Sequence, residues 1–290
     1  MISALLLLVS SSMAQGPLTL GWSKGQSRYH LESLVDTPRT MLHQGVNSLE
    51  ARATKQLIIG DFDCTGAPKG KRWQVDCVVQ SVSFQGVAIP GDEAALGKIL
   101  EDYTARLDGK TVQLMVTADG RITSLDLLGV EKTDKRSGII EDTIRMLMRR
   151  LFAPLDVQLP KDGLSKGKPW RQKGAPLAME LLTRFGTAGG SRLEHSVAST
   201  SGSLIQIEST RRGSVTPGEA LEAGTSSMMK IETTGTGRFD SDAGRFVWRE
   251  IQTSATFTVS AYSAGMGSVD YSHKGSAALV AADGRVSGPE

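Results

Sequence analysis

Cys64 and Cys77 are the only thiols of the chain, and they bound a tract rich in Pro, Gly and Lys, CTGAPKGKRWQVDC. Such a pair can form a disulfide, act as a reactive or metal-binding site, or remain as two unpaired buried thiols. A hairpin that turns over APKGKR would bring the two Cβ atoms within disulfide range. The residue pairs of that hairpin would be Cys64 with Cys77, Phe62 with Val79, and Ile59 with Val82. The sequence therefore predicts a disulfide, with the other two chemistries as alternatives.

The four histidines occupy positions 30, 43, 195 and 273. None of them has HxxxH or HxH spacing, and the cysteines do not form CxxC, so the sequence predicts no metal site. His195 alternates with Leu193 and Val197 on the apolar face of a predicted strand. The favoured interpretation is a core histidine with a satisfied hydrogen bond, or one that lines a polar pocket, and a general base is the alternative.

The sequence lacks the motifs GxSxG, HExxH, GxxxxGK[ST] and a complete GxGxxG. GLSKGK at 163–168 has the wrong spacing for a phosphate loop, and Pro169 follows it. Neighbouring carboxylates at 141–142 and 240–242 fit a helix first turn and a hairpin tip. We therefore expect no catalytic residue, no enzymatic activity and no cofactor.

The charge balance limits the partners of the protein. The chain of 290 residues carries 33 Lys and Arg against 31 Asp and Glu, a formal net charge of +2. This small charge provides no global attraction to nucleic acid or to an anionic membrane. We expect no nucleic-acid partner.

The first residues, MISALLLLVSSSMAQG, indicate export. Ser12 and Ala14 suit a signal-peptidase site, which makes 1–14 a signal peptide and Gln15 the first mature residue. The apolar run is too short to span a bilayer, which takes roughly 20 residues, and no later stretch approaches that length. We expect a periplasmic or extracellular protein without a transmembrane span, and a buried N-terminal strand is the alternative.

Two segments have the spacing of amphipathic helices. The first stripe consists of Leu96, Ile99, Leu100, Tyr103 and Leu107, and the second of Ile140, Ile144, Leu147, Met148 and Leu151. Between them, the Asp119-Gly120 pair inside TVQLMVTADGRITSLDLL is typical of a β-hairpin turn.

Alternation predicts strands elsewhere. Leu57 and Ile59 share the buried face of a predicted strand over 46–59, while Phe62 and Cys64 have the opposite parity and imply a bulge or a second buried face near Gly60. The clearest alternation extends over 247–261, long enough for a curved or partly rolled sheet. FDSDAGRF at 239–246 supplies its turn.

These elements predict an α+β protein, mainly antiparallel β, with a long curved sheet or half-barrel and two amphipathic helices in the N-terminal half. The Pro-, Gly- and Lys-rich segment 159–170 is the best boundary. We predict an α+β half over 15–160 and a β-rich half over 161–290, with one continuous domain as the alternative.

Two stretches carry a family resemblance: GKPWRQKG at 167–174 and TTGTGRFDSDAGRFVW at 233–248. With the strands around them, they resemble a family of exported bacterial proteins defined only as a domain of unknown function. The resemblance covers about residues 25–285 and implies a fold but no catalytic residue. In architecture alone, the predicted elements also look like the half-barrels of periplasmic lipoprotein carriers.

Three functions fit these features. The first is a non-enzymatic binding protein of the bacterial envelope, in which sheet and helices enclose a hydrophobic or lipid-like small molecule. Its candidate lining residues are Leu96, Ile99, Tyr103, Ile144, Leu147 and His195, for each of which ordinary core packing is the alternative. The second is a structural or interaction module that contacts another envelope protein, and the third is a hydrolase of unrecognised type. The sequence predicts no oligomeric state.

Overall fold

The computed structural model describes residues 25–37, 40–44, 47–51, 54–86, 101, 104–129, 135–172, 192–215, 225–261 and 265–288. Within these ranges the strands are β1 Ser27–Thr37, β2 Thr40–Gln44, β3 Asn47–Ala51, β4 Thr54–Lys69, β5 Arg72–Gly86, β6 Thr111–Thr117, β7 Ile122–Leu128, β8 Trp170–Arg171, β9 Glu194–Ser201, β10 Leu204–Val215, β11 Thr225–Asp240, β12 Arg245–Ala261 and β13 Gly265–Leu279. Helix α1 is Lys135–Phe152, and a 3₁₀ turn, Ala153–Leu155, follows it.

The strands form one antiparallel sheet, and the predicted fold class is confirmed. The order along the sheet is β7-β6-β5-β4-β1-β13-β12-β11-β10-β9-β8, with β2 paired to β13 and β3 paired to β2. Strand β1 lies between β4 and β13, so it joins the strands of the two predicted halves through continuous ladders. The division at residue 160 stays a prediction.

The sheet curves around α1, which covers its inner face. The helix contacts β1, β4, β7 and β13. Ile144 and Leu147 are fully buried in the core cluster, as the helical stripe predicts. The ring of Phe152 meets that of Phe62 edge-on, with centroids 4.9 Å apart. Each such buried side chain contributes about 1.5–3 kcal/mol through the removal of apolar area from water.

Hairpin β4–β5 confirms the disulfide. Cys64 lies opposite Cys77 and is bonded to it, and Phe62 lies opposite Val79. The strands are joined by the two residues Gly70 and Lys71, which is the shortest common hairpin loop. Gly70 has a φ of 64°, a left-handed conformation that glycine adopts without strain.

The predicted pairing of Ile59 with Val82 was wrong. The partner of Ile59 is Ser83, because the ladder shifts between Asp61 and Phe62. The extra residue is Gln80 in β5, so the bulge expected near Gly60 lies on the strand opposite it.

The predicted buried face of β4 was also wrong. Leu57 and Ile59 are only half-buried, whereas Ile58, Phe62 and Cys64 are buried on the face toward α1. The apolar side chains at 57–59 fit either face, so the position of the helix decides which one is covered.

The predicted alternation of β12 is confirmed from Arg249 to Thr256 and fails before it: Trp248 and Arg249 are both buried, because the ladder with β11 shifts at Val247. Ile251, Thr253 and Ala255 are buried, while Gln252, Ser254 and Thr256 are exposed. The strand is 17 residues long, and the predicted turn before it occupies 241–244.

The remaining predictions of this region hold in part. The hairpin around Asp119-Gly120 is confirmed as β6 and β7. Of the first predicted helix, residues 101 and 104–107 are described, and they are helical. The segment 159–169 is irregular, yet Leu159 and Leu164 belong to the buried core cluster, so this segment also covers the sheet.

Candidate ligand-binding site

Three of the six predicted lining residues are described, and the site that they would form with the other three stays a prediction. Ile144 and Leu147 are 0% and 1% exposed and pack in the core beneath α1. Leu96, Ile99 and Tyr103 lie outside the described residues. His195 is 1% exposed on β9, in a polar environment.

His195 is held by hydrogen bonds at both ring nitrogens. Its Nε2 lies 3.0 Å from Oε1 of Gln172, and its Nδ1 lies 2.8 Å from Oγ of Ser209. Because the amide oxygen can only accept, Nε2 carries the proton, and the Ser209 hydroxyl donates to Nδ1. Burial lowers the pKa of His195 to about 3, and the positive charges of Arg249 and Arg121 act in the same direction. The imidazole is therefore neutral in the folded protein.

The Ser209–His195 contact is also the arrangement that a hydrolase would need. A general base must take up a proton, however, and a pKa of about 3 makes His195 a weak base at neutral pH. The indole of Trp170 lies against the imidazole, with ring centroids 5.3 Å apart. This geometry supports a histidine with satisfied hydrogen bonds, which was the favoured interpretation of the sequence.

Arg249 extends this network across the sheet. Its Nη2 donates to Oγ of Ser209 at 2.9 Å, and its guanidinium carbon lies 5.2 Å from the ring centroid of Phe246. Burial lowers the pKa of Arg249 to about 10, and the negative charge of Asp156 opposes this shift. Its Nε and Nη1 are buried without a hydrogen-bond partner among the described residues. Each unsatisfied buried donor costs roughly 1–3 kcal/mol.

Gly237 in β11 makes room for the side chain of Arg249, and Gly235 makes room for the strands on either side of it. A Cβ atom on Gly237 would lie 2.9 Å from the carbonyl oxygen of Trp248 and 3.0 Å from Cγ of Arg249. A Cβ atom on Gly235 would lie 3.1 Å from the carbonyl oxygen of Glu250. The GTG of the sequence thus marks a place where a long side chain lies flat on the sheet, a signal that the strand prediction did not use.

Asp156 anchors the segment that covers this network. Its Oδ1 accepts from Nε of Arg121 at 2.9 Å and from the backbone N–H of Ile122 at 3.0 Å. Gln172, the partner of His195, also accepts from the backbone N–H of Gln158. The site is therefore assembled from β9, β10, β12, the β6–β7 turn and the segment after α1.

An apolar strip continues from Arg249 along the inner face. The strip consists of Met229 and Ile231 on β11 and Ile251 and Ala255 on β12, all at most 5% exposed. These four residues are buried but stand outside the core cluster that α1 covers. Between them, the hydroxyls of Thr233 and Thr253 satisfy each other at 3.1 Å. The strip is therefore a buried apolar layer outside the main core cluster.

On the outer face, His30 lies between two carboxylates. Its Nδ1 is 2.9 Å from Asp61 Oδ1, and its Nε2 is 3.2 Å from Glu32 Oε1. Burial of the ring opposes its charged form, but the hydrogen bonds and charges of Asp61 and Glu32 outweigh burial and raise the pKa of His30 above its ordinary value.

The raised pKa predicts a pH-dependent contribution to stability. Charged His30 stabilises the fold fully below its unfolded-state pKa of 6.5, and this contribution is lost as the pH rises through the higher folded-state value. We expect His30→Gln to lower the free energy of unfolding by less than about 1 kcal/mol at acidic pH, since the pair is partly solvated. Urea unfolding of both proteins at about pH 5.5 and about pH 8.5 measures this. An equal difference at both pH values would contradict it.

Neither a metal site nor a membrane-spanning helix is found in the described part of the chain. No group of three His, Cys, Asp or Glu residues there could hold a metal ion. No helix there is long and apolar enough to cross a membrane.

No family model and no curated protein matches this chain, so membership of the exported family stays a prediction. Among solved structures, one that describes lipid–protein interactions in lipovitellin is similar, with 11% sequence identity and a TM-score of 0.46. The similarity covers 91% of this chain and 26% of that chain. The chain thus spans about a quarter of lipovitellin. An outer membrane channel from Pseudomonas putida F1 gives 7% identity and a TM-score of 0.18, over 94% and 100% of the two chains. Both likenesses are too distant to indicate a shared fold.

Proposed function

We propose that this protein is an exported, non-enzymatic binding protein of the bacterial envelope that holds a hydrophobic, lipid-like ligand on the inner face of its sheet. The observation that carries the proposal is the apolar strip Met229, Ile231, Ile251 and Ala255, which is buried apart from the core of α1. Two long strands thus carry a second buried apolar layer beside a buried polar network, and an apolar lining with a few polar groups is the composition of ligand sites.

The outer face of the same strands has the opposite character. Two shallow grooves of about 260 Å³ and 460 Å³ lie there, between β10, β11 and β12. Polar side chains line most of both, Glu208, Thr234 and Gln252 in the smaller groove and Arg212, Lys230 and Ser254 in the larger. Both grooves are shallow and open, so they would enclose little of a hydrophobic ligand, which favours the inner face.

Export is supported by two features. The N-terminal 14 residues have the composition of a signal peptide. The disulfide between Cys64 and Cys77 is typical of proteins that fold in oxidising compartments.

Introducing a polar group into the strip is expected to weaken ligand binding. We expect Ile231→Gln to reduce the affinity for the neutral dye Nile red about tenfold or more, because a buried isoleucine contributes about 1.5–3 kcal/mol of apolar contact. Thr234→Gln, on the exposed face of the same strand, is the matched control and is expected to bind like the wild type. Fluorescence titration measures both affinities.

Ile231→Val, which keeps the strip apolar, shows whether a loss of binding follows polarity or a damaged fold. Circular dichroism checks that all three variants are folded. A wild type that does not bind the dye, or a folded Ile231→Gln that binds it unchanged, would contradict the proposal.

A further inference from the structure

We propose that the ligand carries an anionic head group, a carboxylate or phosphate, and that Arg249 binds it at one end of the apolar strip. This inference rests on the proposed function, since it concerns the ligand of the same face.

The register of the sheet places Arg249 in line with the apolar strip. In the ladder between β12 and β11, Arg249 pairs with Gly237, Ile251 with Gly235, and Ala255 with Ile231. Arg249, Ile251 and Ala255 have the same parity on β12 and all are buried. Six residues of strand extend about 20 Å, which is comparable to the length of a long acyl chain that would point away from the guanidinium.

The free nitrogens of Arg249 define the chemistry of the head group. Nη2 is oriented by Ser209, while Nε and Nη1 are buried donors without a partner among the described residues. A guanidinium donates in a planar fork that matches the oxygens of a carboxylate or phosphate. An alcohol or ester offers less, because it has no charge to pair with.

An anion also provides what the buried guanidinium lacks. Arg249 is 1% exposed, and the negative charge of Asp156 acts on it, but the hydrogen bonds of Asp156 include those to Arg121 and to the backbone N–H of Ile122. A negative head group would add a hydrogen-bonded counter-charge at Arg249, which a neutral ligand does not provide.

Ser209, His195 and Gln172 are positioning residues in this account. The hydroxyl of Ser209 accepts from Arg249 and donates to His195, which in turn donates to Gln172. This chain of hydrogen bonds holds the guanidinium of Arg249 at one point of the inner face. Nη2 is bonded to Ser209, so Nε and Nη1 remain for the ligand.

The experiment compares two probes of equal chain length, oleate and oleyl alcohol, by displacement of Nile red at a pH where oleate is ionised. We expect the wild type to bind oleate about 10–100-fold more tightly than the alcohol, as a charge-assisted hydrogen bond predicts. Arg249→Met is expected to lose this preference while it still binds the alcohol, and Arg249→Lys to keep part of it. Arg212→Met removes a cation that is 86% exposed on the outer face, and it is expected to keep the full preference.

Acetate and inorganic phosphate distinguish an amphiphile from a free anion, and neither is expected to compete with oleate at comparable concentration. Effective competition by either ion would overturn the inference. Equal affinity of the wild type for oleate and oleyl alcohol would overturn it and leave the proposed function standing, and so would an unchanged preference in folded Arg249→Met. Failure of both long-chain probes and of Nile red to bind would overturn the proposed function as well.

Discussion

Replacing Asp156 by alanine is expected to lower the free energy of unfolding by about 3–5 kcal/mol, the cost of breaking a buried ion pair from one side. The side chain of Asp156 is 0% exposed and that of Arg121 is 16% exposed. The substitution leaves Nε of Arg121 and the backbone N–H of Ile122 without this acceptor. It also releases the segment that places Gln172 beside His195. Chemical denaturation of both proteins measures the change.

An exposed ion pair provides the control for Asp156. Nε of Arg171 and Oε2 of Glu194 are 3.0 Å apart, but their side chains are 67% and 41% exposed. Glu194→Ala is therefore expected to cost at most about 1 kcal/mol. Equal losses for the two variants would show that Asp156 does not anchor the segment.

Loss of the disulfide is expected to have the second largest effect. The bond joins residues separated by 13 positions, and closing such a loop in the unfolded chain is worth about 3 kcal/mol. We expect Cys64→Ala with Cys77→Ala to lose about that amount, plus the burial of the two sulfur atoms.

Unfolding the wild type with and without a reductant separates the stability contributed by the covalent bond from that contributed by the packing of the sulfur atoms. Reduction alone should reproduce most of the loss, because the thiols stay in place. Identical denaturation curves for oxidised and reduced wild type would contradict a stabilising role of the disulfide.

Much of the sheet is predictable because its information is local. The period of two along β12 and the Asp119-Gly120 turn depend on residues that are neighbours in sequence. The pairing of Cys64 with Cys77 follows from a short hairpin of the same kind. The shifted ladder at Gln80 and the buried face of Ile58 were missed, since a bulge and the position of α1 depend on tertiary packing.

The candidate site is harder to predict because its members are distant in sequence. Ser209 and Arg249 are 40 residues apart, and Ser209 and His195 are 14 apart. Asp156 lies in APLDVQ at 153–158, between the second predicted helix and the Pro-, Gly- and Lys-rich segment 159–170, and nothing local shows that it is buried. The two glycines of GTG were the available signal, because a strand interior rarely needs them unless another group approaches closely.

Native mass spectrometry of the protein purified from the exported fraction tests the central claim most directly. The account predicts a non-covalent adduct of lipid mass that is released on denaturation, and extraction should recover an acidic amphiphile from it. A mass equal to the bare chain under conditions that preserve the fold would contradict a ligand held on the inner face of the sheet.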